Sequence, residues 1–112
     1  MNDTAHIIRT TNGDIDGREI ERVIAEIEGI AQVAVFGIPH AIFGEAVHAI
    51  VVPYAGKKIT AQDVMSACHG RIASNKCPLS VTIRSSSLPQ SASGQIQRGE
   101  LKSQYWHGSR SA

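Results

Sequence analysis

The sequence predicts an α+β domain, a three-stranded sheet with helices packed on it. Two long apolar runs stand close together on either side of a short break, at residues 31–38 and 46–52. Stretches with helical spacing of apolar residues precede and follow that pair, and an alternating run lies further on near residue 80. The resulting order is helix, strand, strand, helix, strand, polar loop and short helix, which fits helices layered on a small sheet.

Residues 16–28, DGREIERVIAEIE, place Ile20, Val23, Ile24 and Ile27 on one helical face. Asp16 and Glu19 are expected as a capping pair, the aspartate accepting first-turn amides and the glutamate reaching back, and Gly29 should stop the helix. Residues 31–38, AQVAVFGI, are rich in branched side chains and read as a strand ended by Pro39, with Gly44 and Glu45 in the following turn. The run 46–52 is apolar apart from His48 and closes at Pro53, giving the second strand. Thr60 caps a second helix with Asp63 at its third position, burying Val64, Met65, Cys68 and Ile72 and ending near Ala73 or Ser74. LSVTIR at 79–84 is the third strand. Residues 85–94 carry five serines, one proline and one glycine and are expected as a mobile surface loop, before a short helix over about 97–102. The last residues are too polar and small to be expected to pack.

A chain of 112 residues is the size of one domain and should bury roughly two-thirds of its unfolded surface. No apolar run approaches the roughly 20 residues that span a bilayer. With 11 basic and 10 acidic residues the formal net charge is +1, so no broad field attracts nucleic acid or anionic lipid, and neither is expected as a partner. Cys68 and Cys77 are the two cysteines and are expected as unpaired packing thiols, although a disulfide is also open to them. MNDTAHIIRT lacks the pattern of a secretory signal, so a cytoplasmic location is expected. The five histidines, His6, His40, His48, His69 and His107, are dispersed, and no metal site is expected.

Three separated pieces bear a resemblance to a known family. GDIDGREIERVI at 13–24 is similar to a stretch opening with an EIE-like run. VAVFGIPHAIFGEAVHAIVV at 33–52 resembles the pattern VxGxPDxxxGExxxAFVV, with Gly37, Pro39, Gly44 and Glu45 in register. NKCP, a strand and LPQSASGQIQRGEL resemble YKxP and LPxTxSGKIxRxxL. In this order they look like the small C-terminal lid domain of the AMP-forming acyl-CoA synthetases and related adenylating enzymes. The resemblance implies that fold, and it implies that residue 95 stands where the family keeps the lysine that offsets charge on the carboxylate and the α-phosphate of ATP. Here that residue is Gln95, which can donate a hydrogen bond but cannot neutralise a phosphate. Gly94 flanks it, and Arg98 matches the family arginine, read here as structural. Lys76 matches the lysine of YKxP, as a surface charge near the domain junction. Counting back from REIE brings His6 near the family's hinge, with Gly13 the one obvious glycine there, so these two are the hinge or CoA-side candidates. The family's ATP and acyl pockets belong to a large domain that these residues do not include, so no cofactor is expected on this chain alone, and ATP, AMP and CoA only once a large domain completes it.

Each candidate also has a plainer reading. Gln95 is either a remnant or a docking contact; Glu45 is expected to fix a loop or pair with a nearby base; His48, in an apolar strand, is partly buried or outward-facing rather than a general base. Tyr105 and Trp106 are either an exposed pair or a sticky end. The chain is thus divided into a hinge-like segment 1–12, the lid-like domain 13–102 and a polar tail 103–112. The expected function is that of a standalone or excised lid of an AMP-forming acid-thiol ligase, inactive alone and working in trans with a separate large domain. The alternative is a noncatalytic interaction or homo-oligomerisation module joined through a sheet edge or the Tyr105 and Trp106 tail.

Overall fold

The computed structural model describes residues 6–11 and 13–110, the side chains of 107–110 excepted. Residues 1–5 and 12 of the expected hinge-like segment, and 111–112 of the tail, lie outside the described residues. In chain order the elements are β1 (Ile7–Thr10), β2 (Gly13–Asp16), α1 (Gly17–Ala25), β3 (Ile30–His40), β4 (Gly44–Pro53), α2 (Ala61–His69), a 3-10 turn (Ser74–Lys76), β5 (Ser80–Ile83) and α3 (Arg98–Arg110). The fold is α+β as the sequence predicts, with a three-stranded sheet ordered β3-β4-β5. β3 and β4 are antiparallel, and β5 runs parallel to β4.

β4 is central and covered on both faces, which is why its sequence is almost continuously apolar rather than alternating. Alternation still sorts the two faces. Val47, Ala49 and Val51 join Val35 and residues of α1 and α2, including Ile20, Ile24, Val64 and Cys68, in one core. Ile50 and Val52 join Ala34, Phe36, Leu88 and Leu101 in a second core beneath α3.

The capping residues behave differently at the two helices. Thr60 Oγ1 accepts the Asp63 amide at 3.1 Å and Asp63 Oδ2 accepts the Thr60 amide at 3.0 Å, the reciprocal box expected there. At α1, Asp16 accepts the Arg18 amide at 3.0 Å, but Glu19 does not reach back: its Oε1 accepts from Lys76 Nζ at 3.0 Å. α1 also ends at Ala25, short of the expected residue 28. The last turn tightens through Ile27 N–H to Ile24 O at 3.0 Å, and Gly29 at φ 97° reverses the chain. α2 likewise stops at His69 rather than near residue 73, because Gly70 caps it and the chain continues as turns. Its buried side is Val64 and Cys68, with Met65 and Ile72 only partly covered.

Four further expectations are corrected. Pro39 does not end β3, which runs to His40 with Pro39 opposite Glu45. β3 is an edge strand, where a missing N–H leaves no ladder bond unmade. Gly44 and Glu45 accordingly lie in β4, and the turn is residues 41–43, closed by His40 Nδ1 accepting the Ile42 and Phe43 amides at 3.1 and 3.2 Å. Residues 7–10 of the expected hinge-like segment pair antiparallel with residues 13–16, Ile8 opposite Ile15, both buried in the first core. Of the residues after 102, Tyr105 and Trp106 do pack. α3 continues through them, and its stripe of Leu101, Tyr105 and Trp106 lies on the sheet. Tyr105 meets the Phe36 ring edge-on at 5.5 Å, and Trp106 Nε1 donates to Gly37 O at 2.9 Å. These two aromatics are therefore engaged within the chain rather than left as a sticky end. Cys68 and Cys77 are both buried and unpaired, and burial pushes the Cys68 thiol up to about 11.

Candidate functional site

The segment after β5 is built rather than loose. Arg84 donates to Ser86 O at 3.2 Å and to Ser87 O at 3.3 Å, tying down the serine run. Leu88 then drops into the second core, and its amide donates to Gln32 Oε1 at 2.8 Å. Beyond Pro89 the chain forms a small protruding loop whose neck is a bridge between Gln90 and Ile96. Inside it, Ser91 N–H donates to Gln95 O at 2.8 Å, Gly94 N–H to Ser91 O at 2.9 Å and Gln95 N–H to Ser91 Oγ at 3.3 Å. Gly94 takes φ 90°, a value that favours glycine, and this lets the loop reverse at its tip. The Gln95 side chain is exposed, and its amide makes no hydrogen bond to the described residues.

Arg98 opens α3 and is the loop's exit. Its Nε and Nη2 donate to the two oxygens of Glu21 at 2.6 and 2.5 Å, and Glu21 Oε2 also accepts the Val35 amide at 2.8 Å. Guanidinium and carboxylate are 21% and 12% exposed, so the pair is shielded on most sides. His6, Arg18, Gln95, Ile96, Gln97 and Arg98 line a cleft of ≈ 270 Å³ beside the loop. The charges in its wall are largely matched: Arg18 Nη2 is 2.9 Å from Asp16 Oδ2, and its hydrogen bonds hold the Asp16 carboxyl down at about 2.

The structure thus brings together four of the residues singled out in the sequence, His6, Gly94, Gln95 and Arg98, at one loop and its cleft. Lys76 stands apart from that cleft, paired with Glu19, and Gly13 sits at the exposed turn of the β1-β2 hairpin with φ 118°. Sequence reading missed Glu21, Arg18 and Gln97. Glu21 follows the buried Ile20 on the polar side of α1, and its partners, the Val35 amide and the Arg98 guanidinium, are brought to it from other elements.

The remaining candidates have structural roles. Glu45 Oε1 accepts the Arg9 amide at 3.3 Å and lies 3.7 Å from Lys102 Nζ, which also stands 5.5 Å from the Trp106 ring centre. His48 is 3% exposed, with Nδ1 2.6 Å from Ser80 Oγ and Nε2 3.3 Å from Thr82 Oγ1. Burial lowers it to about 4, so it is a neutral core imidazole at physiological pH. Among the described residues no group of histidine, cysteine and acidic side chains could hold a metal ion, and no helix is long and apolar enough to cross a membrane.

The fold is thus a small α+β domain in which one closed loop stands beside a cleft. Residues 19–95 match the AMP-binding enzyme C-terminal domain family, and the chain belongs to that family. It is 38% identical over 87 residues to 2-succinylbenzoate–CoA ligase of Listeria monocytogenes, covering 78% of this chain and 18% of that protein. It is 34% identical over 80 residues to oxalate–CoA ligase of Arabidopsis thaliana, covering 71% of this chain and 15% of that enzyme. The crystal structure of apo MatB from Rhodopseudomonas palustris superposes with TM-score 0.83 at 32% identity, covering 91% of this chain and 20% of that one. The chain therefore spans no more than about a fifth of the length of these relatives.

Proposed function

We propose that this domain is the lid of an AMP-forming acid–CoA ligase, encoded alone or excised from a longer protein, inactive by itself and working in trans on a separate large domain. The observation that carries the reading is the Gln95 side-chain amide, exposed and without a hydrogen bond among the described residues, on a loop whose neck and both legs are pinned. Such a tip is preorganised to meet a docked partner, and it delivers a hydrogen-bond donor without charge. A cation is what a phosphate under attack calls for, and its loss at a reacting centre commonly costs a few kcal/mol of transition-state stabilisation. The domain is accordingly suited to the thioester-forming or acyl-transfer half of the reaction rather than to adenylate formation.

In this reading ATP or AMP and CoA bind only in pockets that the large domain supplies. Gly13 at its hairpin turn and His6 in the cleft wall are the hinge and CoA-side candidates, with Lys76 a charge near the domain junction. The rival reading, a noncatalytic module that self-associates, draws no support from Tyr105, Trp106 or the edge of β3. Trp106 occupies the Gly37 carbonyl and Glu21 the Val35 amide on that edge.

The test is to mix the purified chain with the large domain of an acid–CoA ligase cut before its own lid, with ATP, acid and CoA. A complex and a faster thioester-forming step are expected. Absence of both a complex and a rate change would count decisively against the trans reading.

A further inference from the structure

The loop that carries Gln95 stands on two anchors, and both lead to β3. On the entry side the Leu88 amide is held by the Gln32 side chain at 2.8 Å. On the exit side Arg98 is held by Glu21, which in turn holds the Val35 amide at 2.8 Å. Between the anchors, Gln97 N–H donates to Pro89 O at 2.8 Å and the Gln90–Ile96 bridge closes the neck, which joins the closed loop to the residue before Arg98. A forked guanidinium–carboxylate pair fixes plane and direction as well as distance, which a single donor does not. At 12% and 21% exposure the two side chains are also poorly served by water, so losing one weakens the hold on the other more than at an open surface.

We infer that Glu21 is a positioning residue: acting through Arg98, it sets where the tip bearing Gln95 stands relative to the edge of β3. This rests on the lid reading above, since the tip's placement matters to a docked large domain, but it concerns the chain's own geometry. An ion pair that merely stabilised the fold would loosen every element alike when removed; a positioning pair loosens the loop first.

Amide hydrogen exchange of the chain separates the two. Glu21→Gln keeps an acceptor for the Val35 amide and removes the charge, while Arg98→Lys keeps the charge and removes the fork. In each variant the amides of Ser91, Gly94 and Gln97 are expected to exchange at least about tenfold faster, with residues 47–52 of β4 unchanged within about twofold. Loop amides that stay as protected as before, or that rise in step with β4, overturn the inference; should Glu21→Gln fail to fold, Arg98→Lys is read by the same two outcomes. Because exchange is read without a large domain, a loosened loop in a chain that binds no large domain removes the lid reading alone. An unaltered loop in a chain that does bind one removes this inference alone.

Discussion

The Glu45 carboxylate lies directly over Gly37, its cross-strand diagonal neighbour, in the space a side chain at residue 37 would occupy. Gly37 O accepts from Trp106 on the same stretch of β3, so strand, helix and carboxylate meet there. Gly37→Ala is expected to destabilise the domain by about 1–3 kcal/mol through overpacking. Glu45→Ala in the same chain should recover part of that loss, and a urea double-mutant cycle measures the coupling. Strictly additive effects would mean the two residues do not compete for space.

His48 predicts a pH dependence with a definite sign. Its pKa is lowered from 6.5 to about 4 by burial, so below pH 6.5 the unfolded chain takes up a proton that the folded one refuses. Stability from this residue is therefore undiminished above pH 6.5 and declines as pH falls towards 4, by on the order of 3 kcal/mol. Urea unfolding at pH 7 and pH 4.5 should show the decline, and His48→Gln should flatten it. A variant as pH-sensitive as the parent would assign the effect elsewhere.

Truncation after residue 102 tests the packing of α3. It removes the Trp106 bond to Gly37 O, the Tyr105 contact with Phe36 and the 3.1 Å bond between Tyr105 and Thr82. A loss of about 3 kcal/mol is expected, as for deletion of a large aromatic group from a core. An unchanged denaturation midpoint would restore the view of these residues as a loose tail.

Thr60→Ala removes one half of the reciprocal cap on α2 and should cost about 1 kcal/mol. Thr60→Ser retains the oxygen and should cost only a few tenths. Equal losses in the two variants would point away from the cap bond.

Gln95→Lys restores a cation to the loop tip. In the mixture with a large domain it is expected to raise adenylate formation by about 10²-fold, with pyrophosphate release as the readout. An unaltered rate would mean that the tip never reaches the phosphate.

The local sequence was sufficient wherever one element's pattern was decided by its own residues. The stripe of Ile20, Ile24 and their neighbours, the Thr60–Asp63 box and the β-branched run of β4 each follow from spacing and propensity over a few positions. Helix ends were less legible, because α1 tightens into turns ahead of Gly29 and α2 passes into turns beyond Gly70.

By itself the sequence determined the α+β class, the family resemblance and the neutral side chain at residue 95, all of which reside in residue identity and short-range order. Only the tertiary structure decided that Glu19 serves Lys76 rather than its own helix, that Glu21 holds Arg98, and that Tyr105 and Trp106 are covered. Those outcomes depend on which groups arrive from tens of residues away. A charged or aromatic side chain takes the partner that folding brings within reach, and its immediate neighbours in the chain carry no record of that choice.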